Sequence, residues 1–303
     1  MVGRMKTMKK IIIIFVLVIL LITGCSTKGK PNVIVGEKPI VYVSFYPLYF
    51  LAEEIGRDNI DLKMVIPNGV DSHDYEPSMK QLKAIEEADV FIYNGAGFEN
   101  WAEKLVGTIV EEDKTLKASD YVELIEINGT FDPHIWLNPE NMNRIGEKIR
   151  DIFISLDEDN KNEYEKNFNE LSNRLKILDK EFKDGLKDKK KDTILVSHSA
   201  FAYMADRYDF QQVSVAGINP EQEPSPRTIA NIIEMTEEEN FEYIFLETLA
   251  NPKTVDIIAE ETNLKTLLLN PLEGLTEEEQ NNGEDYISIM EKNLINLKKA
   301  LVE

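Results

Sequence analysis

The sequence predicts an α/β protein of two lobes, each a mostly parallel sheet flanked by helices, the two joined by one long backbone helix. Two observations carry this. Short apolar, β-rich runs alternate with helical patterns of about 10–15 residues on both sides of the chain's middle, which is the signature of βαβ units. Between these halves, from Asp157 to Lys190, the chain has no Gly or Pro except Gly185. Tyr164, Phe168, Leu171, Leu175, Leu178, Phe182 and Leu186 recur there at spacings of three and four, the apolar stripe of an amphipathic helix. At ~1.5 Å per residue, roughly thirty residues extend about 45 Å, longer than one small domain is wide. The stripe holds too few heptads for a coiled coil to be preferred. The expected organisation is therefore a first lobe over 38–156, a linking helix over 157–190 and a second lobe over 191–303.

In the first half the elements come in order. Pro39–Ser44 is an apolar strand, Phe45–Ile55 a helix closed by Gly56, and Ile60–Ile66 a strand broken by Pro67-Asn68-Gly69. A loop follows, then a helix over Ser78–Ala88, a buried strand over Val90–Tyr93 and a helix over Phe98–Val110. Asp132-Pro133-His134-Ile135-Trp136-Leu137-Asn138-Pro139 is stiffened by its two prolines, each of which holds the preceding residue extended. A helix starts at Pro139 with Asn138 as its cap. In the second half, Thr193–Val196, Gln211–Val215, Tyr243–Leu246 and Thr266–Leu269 are strands. Phe201–Arg207, Thr228–Glu239, Pro252–Glu261 and Tyr286–Val302 are helices, and Gly217–Pro226 and Asn270–Leu275 are loops.

The amino terminus speaks to compartment. Arg4, Lys6, Lys9 and Lys10 precede an unbroken apolar run from Ile11 to Ile22, a positive region and a core too short to span a bilayer comfortably. The run ends in Ile22-Thr23-Gly24-Cys25, and Cys25 is the only cysteine. This resembles the bacterial lipobox, which implies a signal peptide over 1–24, cleavage before Cys25 and acylation there. More than one acyl chain gives durable membrane anchoring. Residues 26–37, rich in Lys, Gly, Ser and Pro, read with Cys25 as a flexible tether over 25–37. A single cysteine excludes disulfides within the chain. Removing residues 1–24 takes away four basic residues and no acidic ones, moving the formal net charge from −21 to −25. Such a surface repels phosphate backbones and argues against nucleic acid as a partner.

The chain has three histidines, His73, His134 and His198. All lie in loops or stiff segments next to predicted helices and strand ends, and in open parallel sheets ligands bind outside the carboxyl ends of the strands. Three imidazoles and a carboxylate would complete a tetrahedral site of a kind suited to Zn2+. Glu273 is the preferred fourth ligand, because Gly274 beside it lets the backbone turn tightly; Glu247, also just past a strand, is the alternative. Each imidazole needs an acceptor on its other nitrogen, for which Asp71, Asp74, Asp132 and Asn138 are candidates. Ser44, Phe45 and Trp136 either line the cleft or pack in the core.

Taken together, the lipobox, Asp132–Pro139, Val196-Ser197-His198, Gly217-Ile218-Asn219-Pro220-Glu221 with Glu223-Pro224-Ser225-Pro226, and Asn270-Pro271-Leu272-Glu273-Gly274-Leu275 resemble the zinc/manganese solute-binding lipoproteins of ABC importers. The likeness, which runs over nearly all of the mature chain, implies two α/β lobes on one long helix. It also implies metal positions at His73, His134, His198 and Glu273, and a monomer on the extracytoplasmic face that serves an ABC-type permease. A carboxylate tends to replace His198 in the manganese branch, so the third imidazole resembles the zinc-uptake branch and points to Zn2+ over Mn2+. Residues 74–133 contain no histidine, so the His-rich loop of many zinc-branch members is missing. The resemblance also allows a second activity as a surface adhesin. An anchored zinc hydrolase is the rival from another class, with Glu247 or Glu273 as general base. It lacks a His-Glu-x-x-His stretch, and no Gly-x-Ser-x-Gly elbow supports a serine triad around His198.

Overall fold

Two four-stranded parallel sheets hold the molecule, and both are ordered so that the first strand of each lies inside it. The structure, a computed structural model, describes residues 38–303 apart from 128, 221–223, 239 and 250–252. The signal segment 1–24, the lipidation candidate Cys25 and the tether 25–37 lie outside the described residues. So do Glu221 and Glu223.

The first sheet contains β1 (Ile40–Val43), β2 (Asp61–Met64), β3 (Val90–Tyr93) and β4 (Thr115–Lys117), in the order β2-β1-β3-β4 and all parallel. Its helices are α1 (Tyr46–Gly56), α2 (Met79–Glu86) and α3 (Asn100–Leu105). Ser78 and Gln81 form a capping box that starts α2. A small antiparallel hairpin, β5 (Glu126–Ile127) with β6 (Thr130–Phe131), leads into the Asp132–Pro139 segment. The sequence expectation of a helix over Phe98–Val110 is too long. α3 stops at Leu105, because Gly107 turns to φ 75 and the β-branched Thr108-Ile109-Val110 follow. Strand β4 and the hairpin, with two or three residues per strand, carried no periodicity to read.

Between the sheets, α4 (Pro139–Leu156) and α5 (Lys161–Gly185) pack together as a helical hairpin. Asn138 caps α4 by accepting from the Glu140 amide, with Pro139 at the first position. The apolar stripe of the expected linking helix is present, but the helix covers 161–185 rather than 157–190. Asp157 leaves helical geometry, and its carboxylate accepts from Asn160 Nδ2 at 2.7 Å and Tyr164 Oη at 3.0 Å, which starts a new helix. Twenty-five residues extend about 38 Å at ~1.5 Å per residue.

The second sheet contains β7 (Thr193–Val196), β8 (Gln211–Ser214), β9 (Tyr243–Leu246) and β10 (Lys265–Leu268), in the order β10-β9-β7-β8, again all parallel. With it go α6 (Ala202–Tyr208), α7 (Pro226–Glu238), α8 (Lys253–Thr262), the short α9 (Glu277–Asn281) and α10 (Tyr286–Leu301). One continuous apolar core runs from the first sheet through the stripe of α5 to Val196, Phe245, Leu269 and Leu297. A second, smaller core of Leu195, Val215, Ile232, Ile244, Val255 and Ile258 lies within the second lobe alone. Ser44, Phe45 and Trp136 are buried. Phe45 and Trp136 meet edge to face at 4.7 Å, so their place is the core.

Candidate metal centre

The carboxyl ends of the strands deliver the chemistry. The loop after β2 carries His73, the turn after β7 carries His198, the end of β9 carries Glu247, and the loop after β10 carries Glu273. His134 sits in the stiff segment after the hairpin, before a single 3-10 turn over Ile135–Leu137. Residues separated by up to 200 positions thus meet at one point.

His73 Nε2 lies 3.2 Å from Glu273 Oε1, His134 Nε2 3.5 Å and His198 Nε2 3.7 Å from the same oxygen. The Nε2 atoms of His134 and His198 are 3.3 Å apart. One donor atom from each of the four residues falls within 4.8 Å of all the others. A tetrahedral centre with bonds of ~2.0–2.1 Å separates its donors by about 3.3 Å, and these four pairs, at 3.2, 3.3, 3.5 and 3.7 Å, lie at or somewhat beyond that spacing. Among the described residues no other group of His, Cys, Asp and Glu is gathered in this way.

The opposite ring nitrogens define the tautomers. His134 Nδ1 donates to Asp132 Oδ1 at 2.7 Å, and His198 Nδ1 donates to Glu247 Oε1 at 2.6 Å. A carboxylate has no hydrogen to give, so each Nδ1 carries one, and each Nε2 faces the centre with a lone pair that a cation or a second proton can take. Two lone pairs 3.3 Å apart beside a carboxylate repel unless a cation or a proton lies among them. Asp132 also accepts the His134 amide at 2.8 Å, and Glu247 accepts from the His198 amide at 3.2 Å and from Ser197 Oγ. Each carboxylate therefore locks both backbone and ring of its histidine.

The electrostatics agree. Burial opposes charge on His134, but the Asp132 and Glu273 carboxylates outweigh it and push its pKa up to about 9. Burial likewise opposes ionisation of Glu273, yet hydrogen bonds from His134 and His73 and the charge of His73 and His198 hold it well below the usual carboxylate range. In the absence of a metal, a proton on His134 takes the cation's place.

All four side chains are nearly sealed: His134 is 0%, His198 1% and Glu273 8% exposed, and the His73 side chain 6%. His73 also lines a cleft of about 1190 Å³ between the lobes, together with Phe98, Phe131, Ser199, Gly217 and Asn219. Phe98 stands edge-on to the His73 ring at 4.9 Å. Its loop is held by Glu99, a buried carboxylate that accepts the Asn94 and Gly95 amides at 2.9 and 3.0 Å.

His73, His134, His198 and Glu273 are the residues the sequence singles out, and the structure brings them together. Of the expected acceptors, Asp132 takes the ring of His134. Asp71 accepts the His73 amide at 2.8 Å instead of its ring, and Asn138 caps a helix. Glu247, which the sequence offers as a fourth ligand or general base, lies instead on the far nitrogen of His198. Its partner is 49 residues away, and only its place at a strand end hinted at it.

Residues 41–300 match the family model described as zinc-uptake complex component A, periplasmic. The chain is 36% identical over 304 residues to the high-affinity zinc uptake system protein ZnuA of Bacillus subtilis, covering 93% of this chain and 94% of that one. It is 34% identical over 310 residues to the zinc-binding lipoprotein AdcA of Streptococcus pneumoniae, covering 97% of this chain and 61% of that longer protein. Among solved structures, the Zn(II)-bound ZnuA-like domain of S. pneumoniae AdcA superposes with a TM-score of 0.79 at 36% identity, covering 88% of this chain and all of that domain.

Proposed function

This chain belongs to the zinc-uptake complex component A family, and from that premise we propose that it captures Zn2+ between its lobes and delivers it to an ABC-type permease. The observation that carries this reading is the cluster of four donors within 4.8 Å of one another, two of them carboxylate-locked imidazoles. His73, His134, His198 and Glu273 are the ligands. Three nitrogens and one oxygen favour zinc over the harder manganese. The ion reaches the centre from the cleft, meets His73 first, displaces protons, and is held by four ligands. The lobes over 38–156 and 191–303 tilt slightly about the segment 157–190 during capture and hand-over.

A complete shell of four protein ligands leaves no position for the water that a catalytic zinc keeps, which favours carriage over hydrolysis. Among the described residues no helix is long and apolar enough to cross a membrane. Acylation of Cys25 would supply the attachment to the extracytoplasmic face, with the tether over 25–37 giving reach.

Elemental analysis of protein purified without chelator tests the reading. About one zinc per chain is expected, with most of it lost in His198→Ala. Protein that retains no transition metal in any buffer would overturn it.

A further inference from the structure

The loop that carries Glu273 is bent in a way its sequence does not favour. Leu272, fully buried and immediately before Glu273, has φ 60. That left-handed conformation is an outlier for a bulky side chain and persists only where the surroundings over-determine it. The surroundings here are specific. The Trp136 indole Nε1 donates to Pro271 O at 2.7 Å. Asn293 forms a reciprocal pair with the backbone of Asn270, accepting its amide and donating to its carbonyl, each at 2.8 Å. Asn270 Oδ1 in turn accepts the Leu272 amide at 2.7 Å. Beyond the bend, Ser72 Oγ donates to Glu273 O at 3.3 Å, and Asn68 Oδ1 accepts the Leu275 amide at 3.2 Å.

We propose that Trp136 and Asn293 are positioning residues for zinc: together they clamp Pro271 and Asn270, hold Leu272 in its left-handed bend, and so aim the Glu273 carboxylate at the three imidazoles. Neither touches the ion. Trp136 lies two residues from His134 and reaches across to the second lobe's loop, so it ties the placement of the fourth ligand to that of the first-lobe histidines. Without the clamp the bend relaxes, Glu273 swings off, and the ion is left on the imidazoles alone. The effect is on retention, since the unbent loop still lets zinc reach His73 from the cleft.

This inference rests on the proposed zinc site, and the experiment separates the two. Zinc dissociation is measured by stopped flow against excess chelator for the wild type, Trp136→Phe, Asn293→Ala and Glu273→Ala, and for each clamp variant combined with Glu273→Ala. Trp136→Phe keeps an aromatic ring and removes the N–H. Each clamp variant is expected to release zinc ~10–100-fold faster, the range found when outer-shell partners of ligands are removed. In the Glu273→Ala background neither should have a further effect, because the residue they act through is gone. With cobalt(II) in place of zinc, the clamp variants should lose tetrahedral d–d intensity as Glu273→Ala does. Wild-type release rates in both clamp variants, or an equal acceleration with and without Glu273, would overturn the inference while leaving the site intact. Should either variant fail to fold, the other carries the test. A wild type that holds no zinc would instead refute the site itself.

Discussion

Asp132→Asn isolates a single buried charge from its geometry. Asp132 is 0% exposed, and its Oδ1 alone accepts both the His134 amide and Nδ1, at 2.8 and 2.7 Å. An asparagine can keep that oxygen in place, so the tautomer and the ring orientation survive and the charge disappears. Two consequences oppose each other. The imidazole becomes a weaker donor to zinc, which for loss of such a partner costs ~10–100-fold in affinity, or about 1.4–2.7 kcal/mol. At the same time the proton competing with zinc is held less firmly. In the wild type His134 titrates at about 9, against an ordinary 6.5, despite burial and chiefly because of Asp132. At pH 7 zinc must therefore displace a proton that costs about two tenfold steps in apparent affinity, and this cost vanishes above pH 9. The variant's His134 titrates lower, so its cost at pH 7 is smaller. Competition with a chromophoric chelator from pH 6.5 to 9.5 should then show a deficit of ~10–100-fold at the alkaline end that narrows toward neutrality. A ratio of variant to wild-type Kd that is constant across this range would refute the assignment of the high pKa to Asp132.

Two further predictions concern stability. Burial raises Glu99 from an ordinary 4.5 to about 7, so the unfolded chain loses this proton first, and the wild type should lose up to ~3 kcal/mol of stability as pH rises from about 4.5 through 7. Glu99→Gln should lack that decline, which urea titrations of both proteins across the interval would show. A difference between the two that does not change with pH would exclude Glu99 as its source. Leu175→Ala removes a side chain 1% exposed from the stripe of α5 and should cost ~2–5 kcal/mol. Far-UV circular dichroism melts of the metal-free proteins would measure it; a loss under ~1 kcal/mol would show that the helix is not packed on that face.

What could be read from the sequence follows a physical division between scarce, chemically singular residues and relations that only folding creates. Three histidines at strand or loop ends sufficed to locate three corners of the cluster, because an imidazole has few other uses in a chain that carries so few. The stripe Tyr164 to Leu186 and the alternation of strands and helices were likewise local patterns, legible wherever an element is long. The helix start at Asp157 was not, since it depends on where one carboxylate places its two acceptor bonds. Asp132 was visible as a partner of His134 because it is two residues away and Pro133 holds the segment stiff. Glu247 does the same for His198 from the end of the neighbouring strand β9, 49 residues away in sequence, and only its place at a strand end hints at it. The same holds for Trp136: read alone it is a core aromatic, and only the position of Pro271 turns its indole N–H into a constraint on Glu273. Ligands chosen for their chemistry announce themselves by residue type. The carboxylates and amides that orient them are common residues in common places, so their role exists only as distance.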